Sequence, residues 1–368
     1  MRVPVRCTVR FTVQFALLVA IVCFSSALRS QTTPSPSLLV LSKHDHTLSI
    51  VNPATLQVVA RMPVGEDPHE VIASTDGTTA YVSNYGFGAY NTLAVIDLVG
   101  HRALPSIDLG PLRGPHGLTF VGGKTWFTAE AAKAIGRYDP ATQKVDWILG
   151  TGQNRTHMIY VSDDQQRIIT TNVSSGTVSI MELEALHMPG PPPGAMRPPN
   201  STPGGPGGPP PGGSPMPRKD WNEIVVRVGN GSEGFDVSPD HHEVWVANAQ
   251  DGTISVIDIA AKKVVETIQA NVRGANRLKF TPDSKRVLVS TLGGPDLVIL
   301  DAATRRTTKR IPIGHGAAGI VIEPNGARAF VACTPDDYVA VIDLQSLAVT
   351  GHIQAGGEPD GMAWAIRR

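Results

Sequence analysis

The sequence predicts an all-β fold, a seven-bladed β-propeller of four-stranded blades whose ring is closed by the C-terminal strand joining the N-terminal blade. Three observations carry this. A strand-length pattern ending in an acidic residue or its amide recurs seven times at a spacing of roughly forty-two residues, the length of one blade. Several copies share a Ser-Pro-Asp-Gly type of turn. The two ends of the repeat region each make part of a blade and together complete one.

The recurring strand reads TLSIVN at Thr47–Asn52, TLAVID at Thr92–Asp97, IGRYD at Ile135–Asp139 and TVSIME at Thr177–Glu182. It continues as TISVID at Thr253–Asp258, LVILD at Leu297–Asp301 and VAVID at Val339–Asp343. Small or polar residues alternate with branched apolar ones, as a half-buried strand requires. The closing residue opens the next turn, where its side-chain oxygen can accept from backbone N–H groups. The second marker follows the first strand of a unit, at Ser74, Ser162, Ser238, Thr281 and Glu323. The third unit has VGGK at Val121–Lys124 instead, a shorter turn. Gly357–Ile366 is a first strand without successors, and Leu38–Val64 is three strands without a first. Joined, with Met362–Ile366 as the inner strand of the blade begun at Leu39, they leave no open seam.

Residues 1–30 read as a signal peptide. Arg2, Arg6 and Arg10 precede an apolar run from Phe11 to Phe24, and Ser25, Ser26 and Ala27 supply small residues for cleavage. The run is shorter than the about 20 residues of a membrane span. The expected location is therefore periplasmic or extracellular, with no stable membrane span after cleavage. Residues 31–37 read as a free linker and 38–368 as the propeller. Cleavage removes Cys7 and Cys23, so Cys333 stands without a disulfide partner and is expected to be an inert core thiol. Residues 188–217 interrupt the fourth blade. About two-thirds of them are Pro or Gly, a composition that favours disorder, and they are expected to hang from the blade's outer edge as a spacer.

Composition bounds the partners. Lys plus Arg and Asp plus Glu both number 32, and aromatics make up 5%. Neither a net field for phosphates nor stacking platforms for bases follow, so no nucleic acid is expected. There is no C-x-x-C, H-E-x-x-H or G-x-S-x-G motif. Gly117–Thr125 approaches a phosphate-binding loop, but it has one residue too many and lies between two strands.

The candidate site is a ring. Counting back five residues from the turn marker gives His69, His116, His157, Glu233, Asn276 and Ala318, and the closing strand adds Asp360. A propeller places these at one mouth of its axial channel. Three imidazoles from consecutive blades could hold a divalent metal such as zinc or copper, with Glu233 as a candidate catalytic base. A ligand site without metal, and a ring that merely binds water, are the alternatives. Arg113, Arg155 and Arg273 lie two or three residues before ring positions and suit an anionic ligand. They predict a cationic side of the mouth, opposite an acidic side of Glu66, Asp67, Glu233, Glu358 and Asp360. His44, Asp45, Tyr85, Glu130 and Lys133 follow second strands and extend the same face.

The units YVSN at Tyr81–Asn84, VWVAN at Val244–Asn248 and TISVID at Thr253–Asp258 resemble the YVTN repeats of YncE-like propellers, exported bacterial and surface-layer proteins. The resemblance covers most of Leu38–Ile366 outside the Pro/Gly insertion, and no copy spells YVTN verbatim. It implies a monomeric exported propeller that binds a protein or small molecule at the channel mouth. Similar propellers include lactonases, lyases and a copper-binding domain, which keeps a metal-assisted hydrolase or lyase as the alternative. A structural role in the cell envelope is the third.

Overall fold

A computed structural model describes residues 33–185 and 219–367. The described residues form seven four-stranded antiparallel sheets. Six blades are consecutive meanders spanning residues 68–108, 115–150, 156–227, 232–268, 275–312 and 317–353. We number these blades 2 to 7. Blade 1 is composite: Pro359–Ala365 is its inner strand, followed outward by Ser37–Ser42, Thr47–Asn52 and Gln57–Pro63. Leu39 pairs with Ala363 and Val40 with Met362, so the ring closes through the predicted pair of terminal segments.

Local chemistry explains why each repeat folds alike. In the Ser-x-Asp turns, Ser74 Oγ donates to Asp76 Oδ1 at 2.6 Å and accepts from Thr79 N at 3.1 Å. Ser162, Ser238 and Thr281 repeat the arrangement with Asp164, Asp240 and Asp283. The closing residues cap their turns as expected: Asp97 Oδ1 accepts from Val99 N and Gly100 N, and Asp343 Oδ1 from Gln345 N and Ser346 N. Val121 pairs directly with Lys124, leaving Gly122 and Gly123 at φ 64° and 75°, a two-residue turn that needs glycine.

Second and third strands are almost wholly buried, and outer strands alternate between exposed and half-buried. The core is a set of sandwiches between neighbouring blades. One joins Leu288, Leu297 and Ile299 of blade 6 to Ile320, Val331 and Ile342 of blade 7. Cys333 lies in it, fully buried, and burial pushes its thiol up to about 12.

Two sequence expectations need correction. Residues 33–37 are bound, not free: Thr33 Oγ1 donates to Leu98 O at 2.6 Å, Arg367 N donates to Ser35 Oγ at 3.0 Å, and Ser37 is already in a strand. The third strand of blade 4 does not close at Glu182. It runs to Ala185, which pairs with Lys219, so the outer hairpin is three residues longer. Residues 1–32, and with them the predicted signal peptide, lie outside the described residues, as does the 188–217 insertion.

Candidate functional site at the channel mouth

The seven ring residues each occupy the second position of an inner strand. In blades 3 to 7 the ladder to the second strand is interrupted there, as between Thr156 and Ile159 or Ser232 and Phe235. Such a bulge turns a side chain out of the sheet's alternation and aims it along the axis. Second-strand hydroxyls fix the bulge. Ser83 Oγ donates to His116 O at 2.9 Å, Thr128 Oγ1 to His157 O at 2.6 Å, and Thr171 Oγ1 to Glu233 O at 2.7 Å. The same hydroxyls accept from the displaced amides of Glu70, Gly117 and Met158. Inner strands approach so closely that a Cβ on Gly117 would lie 2.5 Å from His157 O.

All seven ring residues line one cavity of about 600 Å³. His69, His116 and His157 are brought together: ring centroids are 5.1 Å apart for His69 and His116, and 3.8 Å for His116 and His157. Arg155, Tyr85 and Glu130 join them. Arg113 and Arg273 do not; both are exposed and neither lines the cavity. Asn276, Ala318 and Asp360 line its remaining sector.

Four contributors were not singled out from the sequence. Lys43 bonds Asp360 at 2.7 Å. Arg277, buried, pairs with Glu70 across the channel and closes its floor. Phe87 projects over the rim, 87% exposed, at φ 49° between two left-handed glycines. Arg277 and Glu70 each directly follow a ring residue, so the two-residue bulge was the available signal. Positive and negative groups therefore alternate around the mouth, which replaces the predicted cationic and acidic sides. Arg155 sits 3.4 Å from Glu130 and 3.8 Å from Glu233 because each long side chain finds its counter-ion on the adjacent blade.

Adjacent histidines are held in opposite charge states. His157 lies between Glu130, which accepts from Nδ1, and Glu233, whose Oε2 is 2.9 Å from Nε2. Burial works against its charge, but Glu233 and Glu130 outweigh it and raise its pKa to about 9. Burial likewise opposes the Glu233 carboxylate, yet His157 and Arg155 bring it down to about 2. Tyr85 donates to the far oxygen of Glu130 at 2.5 Å. For His116, burial and the neighbouring positive His157 push the pKa well below the ordinary imidazole value. Burial also lowers His69, to about 4, against the pull of Asp360. The Nδ1 atoms of His69 and His116 are buried without a hydrogen-bond partner.

His116, Glu130 and His157 offer ligand atoms within 4.8 Å of one another and could hold a metal ion. Among the described residues this is the one such group, so Glu130 stands where His69 was expected as the third ligand.

The sequence model of the family described as YNCE-like beta-propeller matches residues 1–139, and the structure continues the same blade around the ring. Over that stretch the chain is similar to the YncE-like β-propellers, and as a whole its described residues form a seven-bladed propeller. No curated protein matches this propeller's sequence. A functionally unknown protein from Desulfotomaculum acetoxidans superposes with TM-score 0.67 at 13% identity, over 91% of this chain and 100% of that one. A proposed 6-phosphogluconolactonase from Bacteroides uniformis gives 0.65 at 14%, over 90% and 99%. Hydrazine synthase of Kuenenia stuttgartiensis gives 0.63 at 14%, over 87% and 98%. At these identities the chain shares their fold.

Proposed function

We propose that this YncE-like propeller is an exported, monomeric binding module that takes a small polar ligand into the channel-mouth cavity. The unpartnered Nδ1 of His116 carries the reading. A buried polar atom left unpaired costs roughly 1–3 kcal/mol, and a ligand group reaching it would recover that cost. Alternating charges on the floor favour a ligand with both donors and acceptors, and the exposed rim of Phe87 and Leu292 favours an apolar portion. Export rests on the basic and apolar N-terminal sequence; no helix among the described residues is long and apolar enough to cross a membrane.

Thermal-shift screening of sugar acids, sugar lactones and nucleosides tests the reading. A saturable stabiliser whose effect is lost in His116→Phe supports it. A stabiliser indifferent to His116→Phe, or none at all, overturns it and leaves a structural envelope role.

A second reading is a metal-assisted hydrolase or lyase, favoured by the His116, Glu130 and His157 cluster. A bound divalent ion would polarise a carbonyl or activate water. His157 would have to surrender its proton first, and Glu233 would then be free to act as base. Metal analysis of periplasmic protein decides: stoichiometric metal that disappears in Glu130→Gln supports this reading, and its absence from the wild type removes it.

A further inference from the structure

The axial channel holds a second cavity, beyond the Glu70–Arg277 pair and away from the histidines, and we propose that it binds an amphiphilic monocarboxylate, alkyl chain inward and carboxylate at Lys279. The inference does not depend on the mouth reading. This cavity measures about 420 Å³, within the roughly 300–1,000 Å³ of small-ligand sites. All seven inner strands line it, through positions about three residues beyond the mouth ring.

Apolar side chains, Ile72, Leu118, Ile159, Val321 and Met362 among them, supply somewhat more than half of its wall. Apart from Thr119 and the Glu70–Arg277 pair, its polar side chains lie on three consecutive blades: Tyr160, Asp236 and Lys279. Asp236 is already engaged. Its Oδ1 lies 3.2 Å from Lys279 Nζ and its Oδ2 accepts from Phe280 N at 3.0 Å. An ammonium has three donors, so Lys279, whose side chain is 40% exposed, retains donor capacity. Burial raises the Tyr160 phenol, whose hydroxyl already meets His241 Nδ1 at 3.1 Å, so Lys279 is the donor left for a ligand. An ammonium with spare donors beside aliphatic walls calls for an anionic acceptor on an apolar tail. The buried Glu70–Arg277 pair closes the mouth side, so such a ligand enters from the far end.

Calorimetric titration of the purified protein with hexanoate, octanoate and octan-1-ol tests this. One molecule of octanoate should bind, about fifteenfold more tightly than hexanoate, since each methylene contributes about fourfold. Octan-1-ol should bind more weakly than octanoate, and Lys279→Met should erase that difference. Val321→Trp and Thr119→Trp, each checked by its melting curve, should abolish binding by filling the cavity. Absence of saturable octanoate binding, or binding unchanged in a folded filling variant, overturns the site. Equal affinity for octanoate and octan-1-ol overturns the carboxylate assignment.

Discussion

The two ends of the axial channel are built from the same seven strands, yet one end gathers three histidines with their counter-ions and the other sets aliphatic side chains beside a single Asp236–Lys279 pair. Three residues of strand separate His69 from Ile72 and His116 from Thr119. The backbone is repeated, so the difference lies in what surrounds it. At the mouth, turns after second strands bring Lys43, Tyr85 and Glu130 against the ring and supply counter-ions and hydrogen bonds. At the far end aliphatic side chains pack beside one ion pair, Asp236 with Lys279, which stays partly exposed and so needs fewer partners. A buried charge is retained only where neighbours satisfy it.

The largest expected effect lies at the boundary between the ends. Arg277→Met leaves the Glu70 carboxylate buried without its partner and should lower unfolding free energy by about 3–5 kcal/mol in urea melts. Removing both charges, as Arg277→Met with Glu70→Leu, should restore most of it; a double variant as unstable as the single would break the assignment.

The next effect is a pH optimum confined to the mouth. His157 is raised to about 9 from 6.5, so its contribution is complete below pH 6.5 and lost as pH rises through 9. His69 is lowered to about 4, so its neutral burial begins to cost stability as pH falls below 6.5 and costs fully by 4. Each limb amounts to as much as about 3 kcal/mol. Metal-free protein should therefore be most stable near pH 6.5, and denaturation monitored from pH 4 to 9 checks it; a flat profile would erase the distinction between the histidines.

Glu130→Gln should cost about 1.5–3 kcal/mol by removing a charged hydrogen-bond partner. It should also move the His157 titration, followed by NMR, downward. Destabilisation without that movement would make Glu130 a packing residue. Smallest is Phe87→Gly, which relieves a left-handed side-chain conformation and should change stability by about 1 kcal/mol or less. Any larger loss in a thermal melt would show that Phe87 packs at the mouth and does not merely project from it.

Blade count, ring closure and the ring positions were legible because the strand alternation recurs in all seven copies and the turn marker in five of them. Charge pairing was not. Arg113 and Arg273 looked equivalent to Arg155 by spacing, but only Arg155 reaches carboxylates in the cavity. Glu70 and Arg277 are 207 residues apart and meet only because blades 2 and 6 face each other across the axis. Glu130 follows a second strand, a position readable as mouth-facing, but its choice of His157 depends on side-chain reach between blades. The binding of residues 33–37 also escaped notice, since a Pro- and Ser-rich stretch carries no strand period.

Pairing Pro359–Ala365 with Ser37–Ser42 has a consequence for biogenesis. Meanders fold from neighbouring segments as they emerge, but blade 1 must wait until synthesis has passed residue 365. Until then the nascent chain presents an unfinished seam that chaperones and proteases can recognise. A chain lacking Pro359–Ala365 would carry six whole blades beside the unpaired edge of Ser37–Ser42.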